Sequence, residues 1–228
     1  MDFEVIEKTI ATVFKNKELL KKAFTHRSYL NENRGLGLEH NERLEFLGDA
    51  VLELVVTDFL YKKYPKKPEG EMTALRSALV NSNILSDISL ELGFNEFLLL
   101  SKGEAKDKGR ARQYILANTF ESVVGAIYLD QGYEEAEKFI NKVLLPRLEE
   151  IEEKRLWIDA KSFFQEKAQE EVGLTPVYKT VRENGPDHDK QFTVAVFVGE
   201  ECVAEGSGKS KQEAEQDAAR KGLGAKGW

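Results

Sequence analysis

The chain has 228 residues, 41% hydrophobic and 32% charged, which is typical of a globular protein of one or two domains and excludes an intrinsically disordered chain. Its 33 basic and 40 acidic residues give a net charge of −7, which taken alone argues against a surface built to grip nucleic acid or an anionic membrane. A single cysteine, Cys202, excludes an intramolecular disulfide, and no apolar run approaches the roughly 20 residues needed to span a bilayer. The first residues lack the order of a signal peptide, so we expect a cytoplasmic protein without a membrane segment.

Apolar residues recur at helical spacing from residue 1 to about residue 155. Turn-forming residues separate the runs, and the pattern predicts about seven to nine helices. A charge-dense stretch at 149–154 is expected to end the last helix and lead into a linker. Residues 1–155 are therefore predicted to form an all-α domain.

The pattern changes in residues 158–228, which are predicted to form a small α+β domain with the order α-β-β-β-α. An amphipathic helix is predicted at 161–172, and strands at 177–183, 192–198 and 201–205. Gly206 and Gly208 are interpreted as a turn. The last helix is predicted to begin at Ser210, which forms a capping-box pair with Glu213, and to end near Lys221.

The most informative segment is an acidic and apolar stretch at 41–54. Wound as a helix at about 100° per residue, it places four acids on one stripe roughly 80° wide: Glu42, Glu45, Asp49 and Glu53. The stripe could be the solvated face of an amphipathic helix. Most of the remaining circumference is apolar, however, which indicates a largely buried helix, and unsolvated carboxylates need partners or a metal ion.

A second helix predicted over 115–129 has one acid, Glu121, with Asn118 one turn before it on the same face. Glu121 could be a buried acid paired with an arginine. If it faces the first stripe instead, the two helices form an oxygen-rich site of the kind that Mg²⁺ prefers.

Residues 41–52, NERLEFLGDAVL, resemble the signature of the ribonuclease III family and differ from its usual form only by alanine instead of serine at position 50. The resemblance extends to AFTHRSY at 23–29, ILA at 115–117 and the Phe120-Glu121 pair. The C-terminal unit resembles a double-stranded RNA-binding domain, so the resemblance covers essentially the whole chain.

The resemblance implies an endoribonuclease that hydrolyses double-stranded RNA with a metal-activated water and leaves 5′-phosphate and 3′-hydroxyl ends. It implies Mg²⁺, which Mn²⁺ could replace, bound by Glu45, Asp49, Asn118 and Glu121. Glu42 is implied to contribute to this site or to a second metal, so the expected catalytic residues are Asp49, Glu121 and Glu42. The implied substrates are ribosomal RNA precursors and other structured transcripts.

Asn118 is the one departure in this site, because the family has an aspartate there. The neutral amide removes one negative charge. Three interpretations stay open: a natural variant with some loss of metal affinity, a change made to inactivate the enzyme, or a duplex-RNA-binding protein with a weakened or inactive nuclease site. The intact acids Glu45, Asp49 and Glu121 favour the first.

A cut through both strands of a duplex needs two sites, which a two-fold dimer supplies. The resemblance implies a homodimer formed through the signature region, with Phe46 inserted into the partner. The alternative is that Phe46 is a core residue of its own chain.

The C-terminal motifs imply contacts with two successive minor grooves of an RNA duplex and with the phosphates between them. The residues implied by position are Ser162, Gln165 and Glu166 on the first helix, His188 in the loop at 185–188 after the first strand, and Lys209 and Lys211 before and at the start of the last helix. Residues 158–228 nevertheless carry 10 basic and 13 acidic residues. We therefore expect modest affinity with a shallow salt dependence.

Overall fold

The computed structural model describes residues 3–186 and 190–228, and the chain divides into two compact units, residues 1–157 and 158–228. The described part of the first unit is helical, as predicted. Its helices are α1 (Phe3–Ile10), α2 (Lys17–Ala23), α3 (Arg27–Glu32), α4 (Glu42–Lys63), α5 (Glu69–Leu79), α6 (Ser82–Glu91), α7 (Arg110–Gln131), α8 (Tyr133–Val143) and α9 (Arg147–Glu153), with short 3-10 turns at Phe94–Phe97 and Glu104–Lys106. No helix among the described residues is long and apolar enough to cross a membrane.

The two longest helices of this unit, α4 and α7, pack backbone to backbone through glycines. A Cβ atom at Gly48 would lie 1.7 Å from the carbonyl oxygen of Glu121, and one at Gly125 would lie 2.3 Å from that of Leu44. Neither position can therefore hold a side chain without moving a helix. The crossing places the acidic stripe of α4 against the turn of α7 that carries Glu121.

The second unit packs two helices on one three-stranded antiparallel sheet, which confirms the predicted α-β-β-β-α order. The elements are α10 (Ala160–Val172), β1 (Val177–Asn184), β2 (Gln191–Val198), β3 (Glu201–Gly208) and α11 (Lys211–Lys226), with sheet order β1-β2-β3. Alternate β2 residues, Val194, Val196 and Val198, are buried, and Phe164 of α10 is fully buried in the core of this unit.

The predicted end of the third strand was wrong. Strand β3 continues to Gly208, so Gly206 and Gly208 lie within it instead of forming a turn. A Cβ atom at Gly206 would come within 2.0 Å of the backbone nitrogen of Ala218, and one at Gly208 within 2.6 Å of that of Ala214. These glycines are needed because α11 lies directly on the strand.

The predicted end of the last helix near Lys221 was also wrong, since α11 continues to Lys226. Gly222 lies inside the helix, where a Cβ atom would meet the Phe164 ring at 2.9 Å. The helix ends instead at Gly227, which has a positive φ of 69° and so caps the helix in the left-handed conformation.

Candidate active site and RNA-binding residues

The start of α4 is fixed by buried hydrogen bonds that also reach α7. The Asn41 side chain donates to the carbonyl of Ala23 at 3.2 Å, and the Asn41 backbone N–H donates to the Thr25 carbonyl at 2.9 Å. The Ser122 hydroxyl donates to the Asn118 carbonyl at 2.8 Å and lies 3.4 Å from that of Asn41. Together with the glycine crossing, these bonds fix the acids of α4 relative to α7.

The predicted metal ligands come together across this crossing. Burial, and then the charges of Asp49 and Glu45, raise the pKa of Glu121 to about 8. Burial and the neighbouring Glu42 raise the pKa of Glu45, while the side chain of Asn118 favours its charged form. Burial and Glu53 raise the pKa of Asp49. The site therefore holds three carboxyl groups whose ionisation is disfavoured by burial and by neighbouring carboxylates, with no basic neighbour among the described residues to offset this.

The alternative that Glu121 is paired with an arginine does not hold, because no basic side chain of the described residues forms an ion pair with it. Glu42, in contrast, has basic side chains as neighbours. Its carboxylate lies 3.4 Å from Arg27 Nη1 and 3.7 Å from His40 Nδ1, and it is more exposed than Glu121. Glu42 thus lies at the edge of the site, and the sequence pattern did not reveal these two neighbours.

The residues fit a hard divalent cation by their chemistry. Three carboxylates and one amide supply only oxygen ligands, which Mg²⁺ and Mn²⁺ prefer. Among the described residues, no three carboxylate, imidazole or thiolate groups lie close enough together to coordinate one metal ion in this structure.

Phe46 is not a core residue, because it is 82% exposed on the outer face of α4. Other apolar side chains on the same face are also exposed, including Leu54 at 57% and Tyr61 at 70%. They form an apolar stripe along the helix, next to the acidic stripe. Surfaces of this composition are typical of protein–protein contacts.

The residues implied for RNA contact in the second unit are on the surface where the structure describes them. Ser162, Gln165 and Glu166 are exposed on α10, and their spacing places them on one face. Lys209 and Lys211 are exposed immediately before and at the start of α11. His188 lies outside the described residues.

Acidic side chains accompany these lysines more closely than the sequence indicated. Lys211 Nζ lies 3.2 Å from Glu183 Oε1. The Ser210 hydroxyl accepts the Glu213 N–H at 3.1 Å, as a capping box requires, but the Glu213 carboxylate accepts the N–H of Lys209 instead of that of Ser210. Part of the positive charge expected to hold phosphates is therefore already paired within the chain.

Comparison with known proteins identifies both units. Residues 16–148 match the family model described as ribonuclease-III-like, and residues 160–224 match the double-stranded RNA binding motif. Ribonuclease 3 of Streptococcus thermophilus is 45% identical over 218 residues, which cover 96% of this chain and 95% of that protein. Ribonuclease 3 of Leptospira interrogans is 47% identical over 215 residues, which cover 94% of this chain and 87% of that protein.

A solved structure supports the same assignment for the helical unit. It is the nuclease domain of ribonuclease III from Campylobacter jejuni, which has a region involved in dimer formation and is 37% identical, with a TM-score of 0.58. The match covers 64% of this chain and 99% of that domain. With its two units, its acids across α4 and α7 and these relatives, the chain belongs to the ribonuclease III family.

Proposed function

We propose that this chain, an endoribonuclease of double-stranded RNA, depends on Mg²⁺ held by Glu45, Asp49, Asn118 and Glu121, with Mn²⁺ able to replace it. The observation that supports the proposal most strongly is the raised pKa of Glu121, about 8, caused by burial and two facing carboxylates. A divalent cation would offset the burial and the facing carboxylates, and would so favour the ionised form of Glu121 that can act as a ligand. The alternative, a duplex-RNA-binding protein without cleavage, is not favoured, because it gives no reason to keep three unpaired acids together.

When bound, the ion supplies an attacking water of lowered pKa and stabilises charge on the leaving 3′ oxygen. The chain itself would supply the ligands and control which of them are protonated. The carboxyl of Glu121 gives up its proton when positive charge is added, and Asn118 offers a neutral amide oxygen while favouring the ionised form of Glu45. Glu42 adds charge at the edge of the site. No covalent enzyme intermediate is needed, and the products carry 5′-phosphate and 3′-hydroxyl ends.

The substrates that we propose are ribosomal RNA precursors and other structured transcripts in the cytoplasm. Cleavage of a long RNA duplex, with and without Mg²⁺, tests the activity directly. We expect cleavage in Mg²⁺ or Mn²⁺ and none in EDTA. A duplex that is bound but left intact in both metals would show that the chain is a binding protein.

The same assay tests the role of Asn118. We expect Asn118→Asp to lower the Mg²⁺ concentration needed for half-maximal cleavage, because the variant adds a charged ligand. If the variant and the wild type respond equally to Mg²⁺, Asn118 does not contribute to the metal site.

We also propose that the chain cuts as a homodimer joined through the apolar stripe on α4. The 82% exposure of Phe46 supports this, as does the dimer-forming region of the related Campylobacter jejuni domain. Phe46→Glu should shift the protein to a monomer in sedimentation, because a charge would enter the interface. Leu90→Glu, at an exposed apolar position on α6, is the matched control, and equal shifts in both would contradict the assignment.

A further inference from the structure

We propose that Gln216 is a positioning residue that fixes the minor-groove helix α10 against the phosphate-binding start of α11, and so sets how the second unit binds a duplex. The proposal rests on the function above, since it requires both elements to contact one RNA molecule.

Both the nitrogen and the oxygen of the Gln216 side-chain amide form hydrogen bonds with residues at the start of α10. Its Nε2 donates to Asp159 Oδ2 at 2.8 Å, and its Oε1 accepts the Ala160 N–H at 3.0 Å. The other Asp159 oxygen accepts the Ser162 N–H at 2.7 Å. The network joins residues that are 56 and 57 positions apart in the chain.

The network lies between the two surfaces that are implied to contact RNA. Ser162, whose backbone takes part in it, is one of the residues implied for the minor groove. On α11, Gln216 follows Lys211 by five positions, which is roughly 7.5 Å along a helix. The neighbouring residue Glu215 forms an ion pair with Lys161 of α10, which adds a second link at the same place.

Both helices also contribute apolar residues to the core of this unit, including Ala160, Phe164 and Ala218, and the Phe164 ring lies against Gly222. Apolar packing has little directional preference, whereas hydrogen bonds weaken steeply when their angle changes. A double-stranded RNA-binding domain must hold its groove-contacting helix at a set distance from its phosphate contacts, because it spans roughly 16 base pairs. Gln216 supplies two of the directional contacts that provide that constraint.

A side-chain swap tests the proposal in the full-length protein. Gln216→Glu places a second carboxylate against Asp159, and adding Asp159→Asn restores every hydrogen bond at the wild-type net charge. Binding to a labelled RNA duplex is measured in EDTA, where no cleavage is expected. We expect Gln216→Glu to weaken binding roughly three- to tenfold, where tenfold corresponds to 1.4 kcal/mol, and the swapped pair to recover it to within about twofold.

Gln169→Glu is the matched control, because it adds the same charge near the other end of α10, where the Gln169 amide contacts Thr175 at 3.3 Å. It should leave the affinity within about twofold of the wild type, since rim charges have small effects. Thermal unfolding of each variant establishes that the second unit is folded. If Gln216→Glu unfolds the second unit, the duplex affinity of the swapped pair, which keeps the hydrogen bonds, is compared with that of Gln216→Met, which lacks them.

A double-mutant cycle separates positioning from a general loss of stability. We expect Gln165→Ala to weaken duplex binding in the wild type and in the swapped pair, but much less in Gln216→Glu, because Gln165 is then no longer held in the groove. Unchanged affinity in Gln216→Glu, no recovery in the swapped pair, or an equal cost of Gln165→Ala in all backgrounds would overturn the proposal. A wild type that does not bind duplex RNA would instead contradict the proposed function.

Discussion

Glu121 lies where the charged form of its carboxyl group is unfavourable unless a cation is bound nearby. Burial and two facing carboxylates raise its pKa to about 8, so near neutral pH it holds a proton that an ordinary glutamate would have lost. At this residue, the folded state therefore binds more protons than the unfolded state between pH 4.5 and about 8. It follows that this residue makes the metal-free protein less stable as the pH rises through that interval.

We expect Glu121→Gln to reduce cleavage at least roughly 100-fold while duplex binding is kept, because a proposed metal ligand is lost and the second unit is untouched. In EDTA at pH 8 or above, the free energy of unfolding should rise by on the order of 1–2 kcal/mol, because a repelling charge is gone. Urea unfolding at pH 5 and pH 9 measures this. Glu149→Gln on α9 is the control, and a variant that is destabilised at high pH would contradict the assigned environment.

Glu183 is a surface acid that pairs with Lys211, a residue implied to contact RNA. Its pKa is lowered, mainly by the hydrogen bond from Lys211, so it is ionised near neutral pH. We expect Glu183→Gln to raise duplex affinity roughly two- to fivefold and to steepen the salt dependence by about one ion, because Lys211 becomes available to a phosphate. Glu201→Gln, which releases Lys226 at the far end of α11, is the control. Equal gains in both variants would indicate only a change of net charge.

At the scale of the elements, the crossing of α4 and α7 links fold and site. We expect Gly125→Ala to cost about 1–3 kcal/mol of stability, because its Cβ would lie 2.3 Å from a backbone oxygen of α4 and the helices must separate. Cleavage should fall at least roughly tenfold, since the proposed metal ligands move with the helices. Gly70→Ala is the control, because nothing lies within 4 Å of its added Cβ. Full activity in Gly125→Ala would show that the spacing is not critical.

The segment between α1 and α2 is held by carboxylates that act on backbone N–H groups. Glu7 accepts the Phe14 N–H at 2.6 Å and forms an ion pair with Lys17, and Asp130 accepts the N–H groups of Lys15 and Asn16, each at 2.8 Å. Burial opposes the ionisation of Glu7, but Lys17 and the Phe14 N–H outweigh it, so its pKa is lowered.

The sign of this shift predicts acid sensitivity. The stability that Glu7 contributes is present above its unfolded pKa of 4.5 and is lost as the pH falls through the lower folded pKa. We expect Glu7→Gln to be less stable than the wild type at pH 7, by about 1 kcal/mol, and the difference to disappear in acid. Chemical unfolding from pH 7 to pH 3 measures it. A difference that is independent of pH would rule out the ion pair as its source.

Element types were predictable from the sequence because the 3.6-residue and two-residue periods of apolar positions are local properties. The ends of β3 and α11 were not predictable, because in the sequence alone Gly206 and Gly222 have the pattern of residues that end a strand or a helix. Each lacks a side chain because another element lies against it: α11 at Gly206, and the Phe164 ring of α10 at Gly222. A single sequence does not distinguish these two uses of glycine.

At the scale of the whole molecule, the net charge of −7 does not describe the surface that RNA would meet. Four acids belong to the proposed nuclease site. Many lysines of the second unit are paired within that unit, including Lys161, Lys167, Lys211, Lys221 and Lys226. We expect a slope of roughly −2 to −4 when the logarithm of the binding constant is plotted against that of the salt concentration, reflecting few phosphate contacts. Fluorescence titration from low to high salt measures it, and a slope of about −7 or steeper would contradict the prediction.

The sequence by itself determined the two-unit order and the type of each helical or strand segment, because periodicity is a property of short stretches of chain. Its motifs also marked the acids at 45, 49 and 121 as candidate ligands. Only the tertiary structure decided that Glu121 faces Asp49, that Phe46 is exposed, and that Arg27, His40, Glu183 and Gln216 adjoin the proposed sites. These relations join residues far apart in the chain, and they depend on how closely helices approach. That distance is set by side-chain volume at the crossings, which no local pattern encodes.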